Sequence, residues 1–335
     1  MTDHNAPDKG LLQPLISVLL PVYNGAPYLR GAIESILGQS YATFELIIIN
    51  DGSRDDSAEI IASFSDTRIR SYHQENQGLA ATLNRGIGLA AGEIIVRQDQ
   101  DDISLPQRFM RQVEFLQAHP RCAMVGTWAE IWVDDQRTDR AHRHPVDNAM
   151  IQLELLFTNP FVHSSVMIRT KCLQEVGGYA VDPTRQPPED YELWSRIART
   201  HEVANIPECL VIYREVGGSM SRSTNPQFWE RVVNICQENI QAVLGCDYNR
   251  EPIRGVVRLY HGINDHTRRP RTKELVILMR DIADAFETRY PEHCRQVRVK
   301  LTSFFTISLH CHYARSMGAT LARLLVKLRS LWLFR

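Results

Sequence analysis

Short apolar runs alternate with amphipathic segments through the first 130 residues, and this alternation leaves few folds open. "LISVLLPVY" and the nearly unbroken β-branched run "FELIIIND" read as buried strands, with "RIRSYHQ" and "EIIVRQD" as a third and fourth. Between them "YLRGAIESILGQS" places Leu29, Ile33, Ile36 and Leu37 at helical spacing. "DSAEIIASF" repeats the pattern, as does "GLAATLNRGIGLAAG", a helix closed by Gly92. "RFMRQVEFLQAHP" then predicts a helix and "AMVGTWAEIWV" a strand. Strands joined through helices form right-handed βαβ units and a parallel sheet buried on both faces. The expected fold class is α/β, an open, mostly parallel sheet flanked by helices.

Between residues 140 and 215 the alternation loosens: "HSSVMI" and "CLVIYRE" are strand-like and "EDYELWSRIART" is helical. Beyond Ser223 the periods are helical, most clearly in "PQFWERVVNICQENIQAVLG" and "TKELVILMRDIADAFETRY". A chain of 335 residues exceeds the usual single domain. The expected parts are a flexible tail at 1–14, an α/β domain at 15–222 and a helical C-terminal region at 223–335. Charge divides at the same place. Residues 221–335 carry 19 Lys and Arg against 10 Asp and Glu, about +9, and residues 1–220 carry 19 against 29, about −10.

Seven scattered cysteines with no C-x-x-C argue for a reducing compartment and against a disulfide framework or a zinc site. "MTDHNAPDKG" lacks the apolar core of a signal peptide, and no uncharged apolar run approaches a membrane span of about 18 to 20 residues. The expected location is cytoplasmic, at most peripheral at the cytoplasmic face of a membrane, with no nucleic-acid partner.

The segment "GEIIVRQDQDDISLP", residues 92–106, puts Asp99, Asp101 and Asp102 where a buried strand surfaces. Neighbouring carboxylates raise one another's pKa unless solvent or a cation relieves them. In an open α/β sheet ligands bind beyond the carboxyl ends of the strands, and "PVYNG" and "NDGS" fall at two more such ends. Each of these alone reads as a solvated turn; together they point to one crevice. Neither G-x-G-x-x-G nor G-x-x-x-x-G-K-[ST] is present. A divalent cation, Mn2+ or Mg2+, on Asp99 and Asp101 is then the economical way to hold a diphosphate.

"ISVLLPVYNG", "ELIIINDGSRDDS", "NQGLAATLNRGIGLAAGEII", "DQDDISLPQR", "HSSVMIR" and "EDYELWSR" together resemble the inverting glycosyltransferases of family 2, over about residues 15–215. The resemblance implies the GT-A fold with a C-terminal helical extension, and a nucleotide-sugar donor, with UDP favoured. It implies that Tyr23 packs near the base, that Asp51 accepts from the uracil imide, that Asp99 lies by the ribose or metal, and that Asp101 is the metal ligand. Asn50 stands where the family often has aspartate. Glu189 and Asp190 would suit any helix start, because the helix dipole favours acids there. The resemblance makes Asp190 the general base for direct displacement at the anomeric carbon. His163 is either a core histidine or a site residue, and Trp194 either stacks on a sugar or fills the core. Arg214, ahead of "EVGGSMS", is either a diphosphate contact from a lid or a surface arginine.

The tail "RSMGATLARLLVKLRSLWLFR" carries five cations and no acid over residues 315–335. An apolar stripe faces Arg323 and Lys327, as in a helix lying on an anionic membrane surface. Docking on its own domain or on a second subunit, as in a homo-oligomer, is the alternative. The expected activity is metal-dependent transfer to a glycan or lipid-linked acceptor in surface polysaccharide or glycolipid assembly. The competing classes are a nucleotidyltransferase and a noncatalytic carbohydrate-binding or scaffold protein.

Overall fold

A computed structural model describes residues 13–133, 135–216, 226–246, 250–261 and 272–317. The alternation appears in order as β1 (Ile16–Val22), α1 (Ala26–Leu37), β2 (Phe44–Asp51), α2 (Ser57–Ala62), β3 (Ile69–Gln74), α3 (Leu79–Leu89) and β4 (Ile94–Arg97). β1 pairs in parallel with β2 and β4, and β2 with β3. Every residue of β2 and β4 is buried, which is why these strands read as apolar runs instead of alternating.

There follow β5 (Ile103–Ser104), α4 (Arg108–Ala118), β6 (Cys122–Val133), β7 (Gln136–His142), α5 (Asn148–Glu154), β8 (Met167–Arg169), α6 (Thr170–Val176), α7 (Glu189–Thr200) and β9 (Glu202–Glu215). The sheet runs β3-β2-β1-β4-β8-β6-β9-β5, with β7 paired to β6. β8 is antiparallel to both β4 and β6, so the sheet is mixed beyond the four parallel strands.

Two local expectations change. "HSSVMI" is not one strand: His163–Ser165 form a single 3-10 turn and only Met167–Arg169 pair. α3 ends at Leu89, with Ala90 already extended, so Gly92 does not cap it. Gly92 serves close packing instead, because a Cβ there would lie 2.6 Å from the Leu15 carbonyl oxygen and 2.7 Å from the Ser17 nitrogen.

Contacts group the chain into two compact units. The first comprises Met1–Arg143, Phe161–Tyr179 and Asn205–Gly217 and contains the parallel strands. The second comprises His144–Pro160, Ala180–Ala204 and Gly218–Arg335. This grouping is not the linear cut near 222 that periodicity suggested, because tertiary packing recruits two earlier segments into the helical unit. That unit includes α8 (Pro226–Leu244), α9 (Arg250–Tyr260), α10 (Thr272–Arg289) and α11 (Cys294–Met317). These four helices bury Ile235, Ile240, Val256, Leu278, Ile282 and Leu301. No helix among the described residues is long and apolar enough to cross a membrane. The proposed basic amphipathic tail lies outside the described residues from 318 onward, as do the N-terminal residues 1–12 and the glycine-rich segment 217–225.

Candidate active site

In the first unit, three loops at strand ends are stitched together by side chains. The Tyr23 N–H donates to Gln100 Oε1 at 2.9 Å, and Gln100 Nε2 donates back to the Tyr23 carbonyl at 3.1 Å. The next three backbone N–H groups, of Asn24, Gly25 and Ala26, donate to Ser53 Oγ, Ser57 Oγ and Asp55 Oδ2 at 3.0, 3.0 and 2.9 Å. A Cβ at Gly25 would collide with the Gln100 amide, so glycine is what lets the first and third loops meet. "PVYNG", "NDGSRDDS" and "DQDD" therefore converge as expected, and Tyr23 remains 47% exposed, its ring available to a flat ligand.

Asp51, the last residue of β2, is buried. Its Oδ1 accepts from Gln74 Nε2 at 2.7 Å and the Gln77 N–H at 2.8 Å, and its Oδ2 accepts from the Gly78 N–H at 2.9 Å. Gly52 follows with φ +77°, and a Cβ there would stand 2.8 Å from the Asn76 nitrogen. Asp51 thus anchors segment 74–78, a role its motif did not reveal. An oxygen can accept two hydrogen bonds, which leaves Oδ2 room for a ligand donor.

The three aspartates of the third loop have different environments. Asp99 pairs with Arg97, a guanidinium buried at the end of β4. Asp102 is buried, accepting from the Arg214 N–H at 2.9 Å and from the Ser164 hydroxyl. Burial, then the charges of Asp99 and Asp101, push its carboxyl well above the usual range. Asp101 is pushed up to about 6, by burial first and the Asp99 charge second. Beneath them, buried Arg108 donates to Gln98 Oε1, Ser104 Oγ, the Arg97 carbonyl and Gln112 Oε1 at 2.8 to 3.1 Å. Burial lowers this guanidinium to about 9. Sequence gives no way to tell Asp102 from its neighbours, since burial and partners distant in the chain separate them.

A cation fits this donor set. Asp101 stands beside Asp99 with its carboxyl raised by burial and by that neighbouring charge, and hard oxygen ligands suit Mg2+ or Mn2+. No group of three or more His, Cys, Asp or Glu that could hold a metal exists among the described residues. Such an ion would therefore take one or two carboxylates from the protein and the rest of its shell from a diphosphate and water.

Arg214 does not have the free guanidinium expected of a diphosphate contact. Its Nε donates to Asp135 Oδ1 at 2.7 Å, its Nη1 donates to the Asp101 carbonyl at 2.6 Å, and it lies over the Tyr28 ring. It braces the aspartate loop. His163 shares a 2.9 Å hydrogen bond with the Tyr179 hydroxyl. Tyr179 is in turn held by Asn84, which exchanges two hydrogen bonds with its backbone at 2.8 and 2.9 Å.

Burial, and then the Arg97 charge, hold His163 well below the ordinary 6.5. The unfolded chain then binds more protons than the folded one below pH 6.5. This part of the stability is therefore present above that pH and lost as pH falls. His163→Gln should flatten the acid-side loss of urea stability relative to wild type, by at most about 1.4 kcal/mol per pH unit. Parallel pH profiles for the two proteins would refute the assignment.

In the second unit, Asp190 sits in the first turn of α7 with Glu189 and Glu192. Its Oδ1 accepts from the Tyr191 N–H at 2.7 Å and its Oδ2 from Asn159 Nδ2 at 2.8 Å. Glu189 is buried, and Glu192 is buried between Arg185 and Arg196 at 2.8 Å each. Trp194 is 0% exposed, so it has no face for a sugar; of its two readings, core filling is the one that holds. Sequence reading missed Gln100, Arg97 and Asn159. Gln100, set between two aspartates, was open to notice, but Asn159 carried no local signal.

A parallel α/β half whose strand ends gather acidic loops, continued by antiparallel strands and helices, is the architecture of the GT-A glycosyltransferases. The chain belongs to glycosyltransferase family 2: the family described as Glycosyl transferase family 2 matches residues 17–177. An uncharacterized glycosyltransferase of Haemophilus influenzae is 30% identical over 74% of this chain and 81% of its own length. The amylovoran biosynthesis glycosyltransferase AmsE of Erwinia amylovora is 31% identical over 60% of this chain and 76% of its own. Among solved structures, S. aureus TarS 1-349 in complex with UDP-GlcNAc shares the fold at a TM-score of 0.60 and 15% identity, covering 94% of this chain and 91% of that one.

Proposed function

We propose that this glycosyltransferase moves a sugar from a UDP-sugar to a hydroxyl of a glycan or lipid-linked acceptor, with inversion, in polysaccharide or glycolipid assembly. The observation that carries the reading is the convergence of Tyr23, Asp51 and Asp101 on three stitched loops, with Asp101 the carboxylate a cation would relieve. The names of similar proteins support it, since AmsE acts in amylovoran biosynthesis and the TarS structure holds UDP-GlcNAc.

Tyr23 packs on the base and Asp51 accepts from its imide N–H. Asp101, with Asp99, would hold Mg2+ or Mn2+, which supplies charge neutralisation for the departing diphosphate. Asp190 takes the proton of the acceptor hydroxyl as that oxygen bonds to the anomeric carbon. The bond from that carbon to the phosphate oxygen breaks, and its electron pair leaves with UDP. Attack from the face opposite the leaving group inverts the centre.

The nucleotidyltransferase reading loses ground on one detail. Such an enzyme would use the loop after β1 to cradle phosphates, but four successive N–H groups there, from Tyr23 to Ala26, already donate to protein side chains. Thermal unfolding with UDP-, GDP- and ADP-sugars, with and without Mn2+, tests the proposal. A ligand at 100 times its Kd adds about 2.7 kcal/mol of stability, a readily measured shift. A UDP-sugar should raise the melting temperature more with Mn2+ than without. Shifts from no nucleotide sugar under any condition would refute both the donor and the metal.

A further inference from the structure

Asp190 belongs to α7, but the amide that donates to its Oδ2, that of Asn159, comes from another part of the second unit. We propose that Asn159 is the positioning residue for Asp190, its amide setting the plane of the carboxylate that receives the acceptor proton. The inference rests on reading Asp190 as the base.

A carboxylate turns about its Cβ–Cγ bond unless both oxygens are held. Here each oxygen is: Oδ1 by the Tyr191 N–H at 2.7 Å and Oδ2 by Asn159 Nδ2 at 2.8 Å. Both donors are themselves fixed. Tyr191 is buried, with its hydroxyl donating to the Leu155 carbonyl at 2.7 Å. Asn159 follows the buried run Leu155, Leu156 and Phe157 and precedes Pro160, and a residue before proline is confined to extended backbone. One lone pair on each oxygen is thereby engaged.

The chemistry explains why an amide stands there. An arginine or lysine would hold the carboxylate equally well, but its charge would lower the basicity the reaction needs. Asparagine donates a hydrogen bond and adds no charge. The surrounding charges are largely settled among themselves. Glu192 is paired with Arg185 and Arg196, and Glu238 of α8 with Arg185 and Arg199. Buried Glu189 shares the first turn of α7.

The test uses the intact protein and follows UDP release from the donor selected by thermal shift, with water as acceptor. In Asn159→Ala, the plateau kcat should fall about 10- to 100-fold while the donor KM is unchanged. The acid-side midpoint of the kcat profile should rise by about one pH unit, the equivalent of one hydrogen bond to an ionised group. Asn159→Asp, the same size but carrying a like charge in place of a donor, should move the midpoint further up; it also decides the matter if the alanine variant is poorly folded. A lowered kcat with an unmoved midpoint in both variants would mark Asn159 as merely structural and overturn the inference. So would unchanged kinetics in a background where Asp190→Asn is inactive. Full turnover by Asp190→Asn would instead remove the base, and the positioning role with it.

Discussion

Asp101→Asn should be inactive and yet, without metal, more stable than the wild type at neutral pH. The two effects have one cause. Asp101 is pushed up to about 6 in the folded chain, against an ordinary 3.8. A carboxyl raised in this way contributes stability below its unfolded pKa and loses it as pH rises through the folded one. At pH 7 the ionised side chain is thus a liability that a bound cation relieves and an amide removes. Urea unfolding of metal-free protein at pH 7 should show the variant gaining stability, and the gain should vanish near pH 4. Adding Mn2+ and UDP should stabilise the wild type and leave the variant nearly unmoved, with UDP release at background. Full activity in Asp101→Asn would end the metal assignment, whatever the stability showed.

Asp190→Asn should leave the fold and donor-dependent thermal shift close to wild type, while turnover drops by about 10² to 10⁴, the usual worth of a general base. The asparagine retains the shape of the side chain and an oxygen acceptor. What disappears is the capacity to take a proton. A rate that stays flat with pH on the acid side would accompany the loss. If the variant instead fails to bind donor at any concentration, Asp190 is a binding or structural residue.

The parallel half of the fold was legible because burial on both faces writes itself as apolar runs, as in "FELIIIND". β7, "QRTDRAH", was not, since a largely exposed polar strand carries no such mark. β5 was equally hidden, since two residues hold no period, and of the strand-like "HSSVMI" only the end pairs. Convergence of "PVYNG", "NDGS" and "DQDD" followed from strand direction alone. The division of labour among Asp99, Asp101 and Asp102 did not, because it depends on Arg97, Ser164 and the Arg214 backbone, brought in from elsewhere in the chain. Trp194 shows the same limit from the other side, as an aromatic on the helix of the proposed base whose exposure no local pattern discloses. Asp51, expected as a base contact, is seen in the fold as the anchor of segment 74–78, which its motif gave no sign of.

The stitching of the first unit's loops bears on protein engineering. Donor preference in an enzyme of this kind would ordinarily be altered by transplanting a loop from a relative. Here a graft of residues 23–26 alone would arrive without Ser53, Asp55, Ser57 and Gln100, the groups that its four N–H donors and one carbonyl require. A side chain at position 25 would also push the Gln100 amide away from the Tyr23 backbone it pairs with. The three loops behave as one exchangeable cassette, and a chimera should be cut to carry all of them or none.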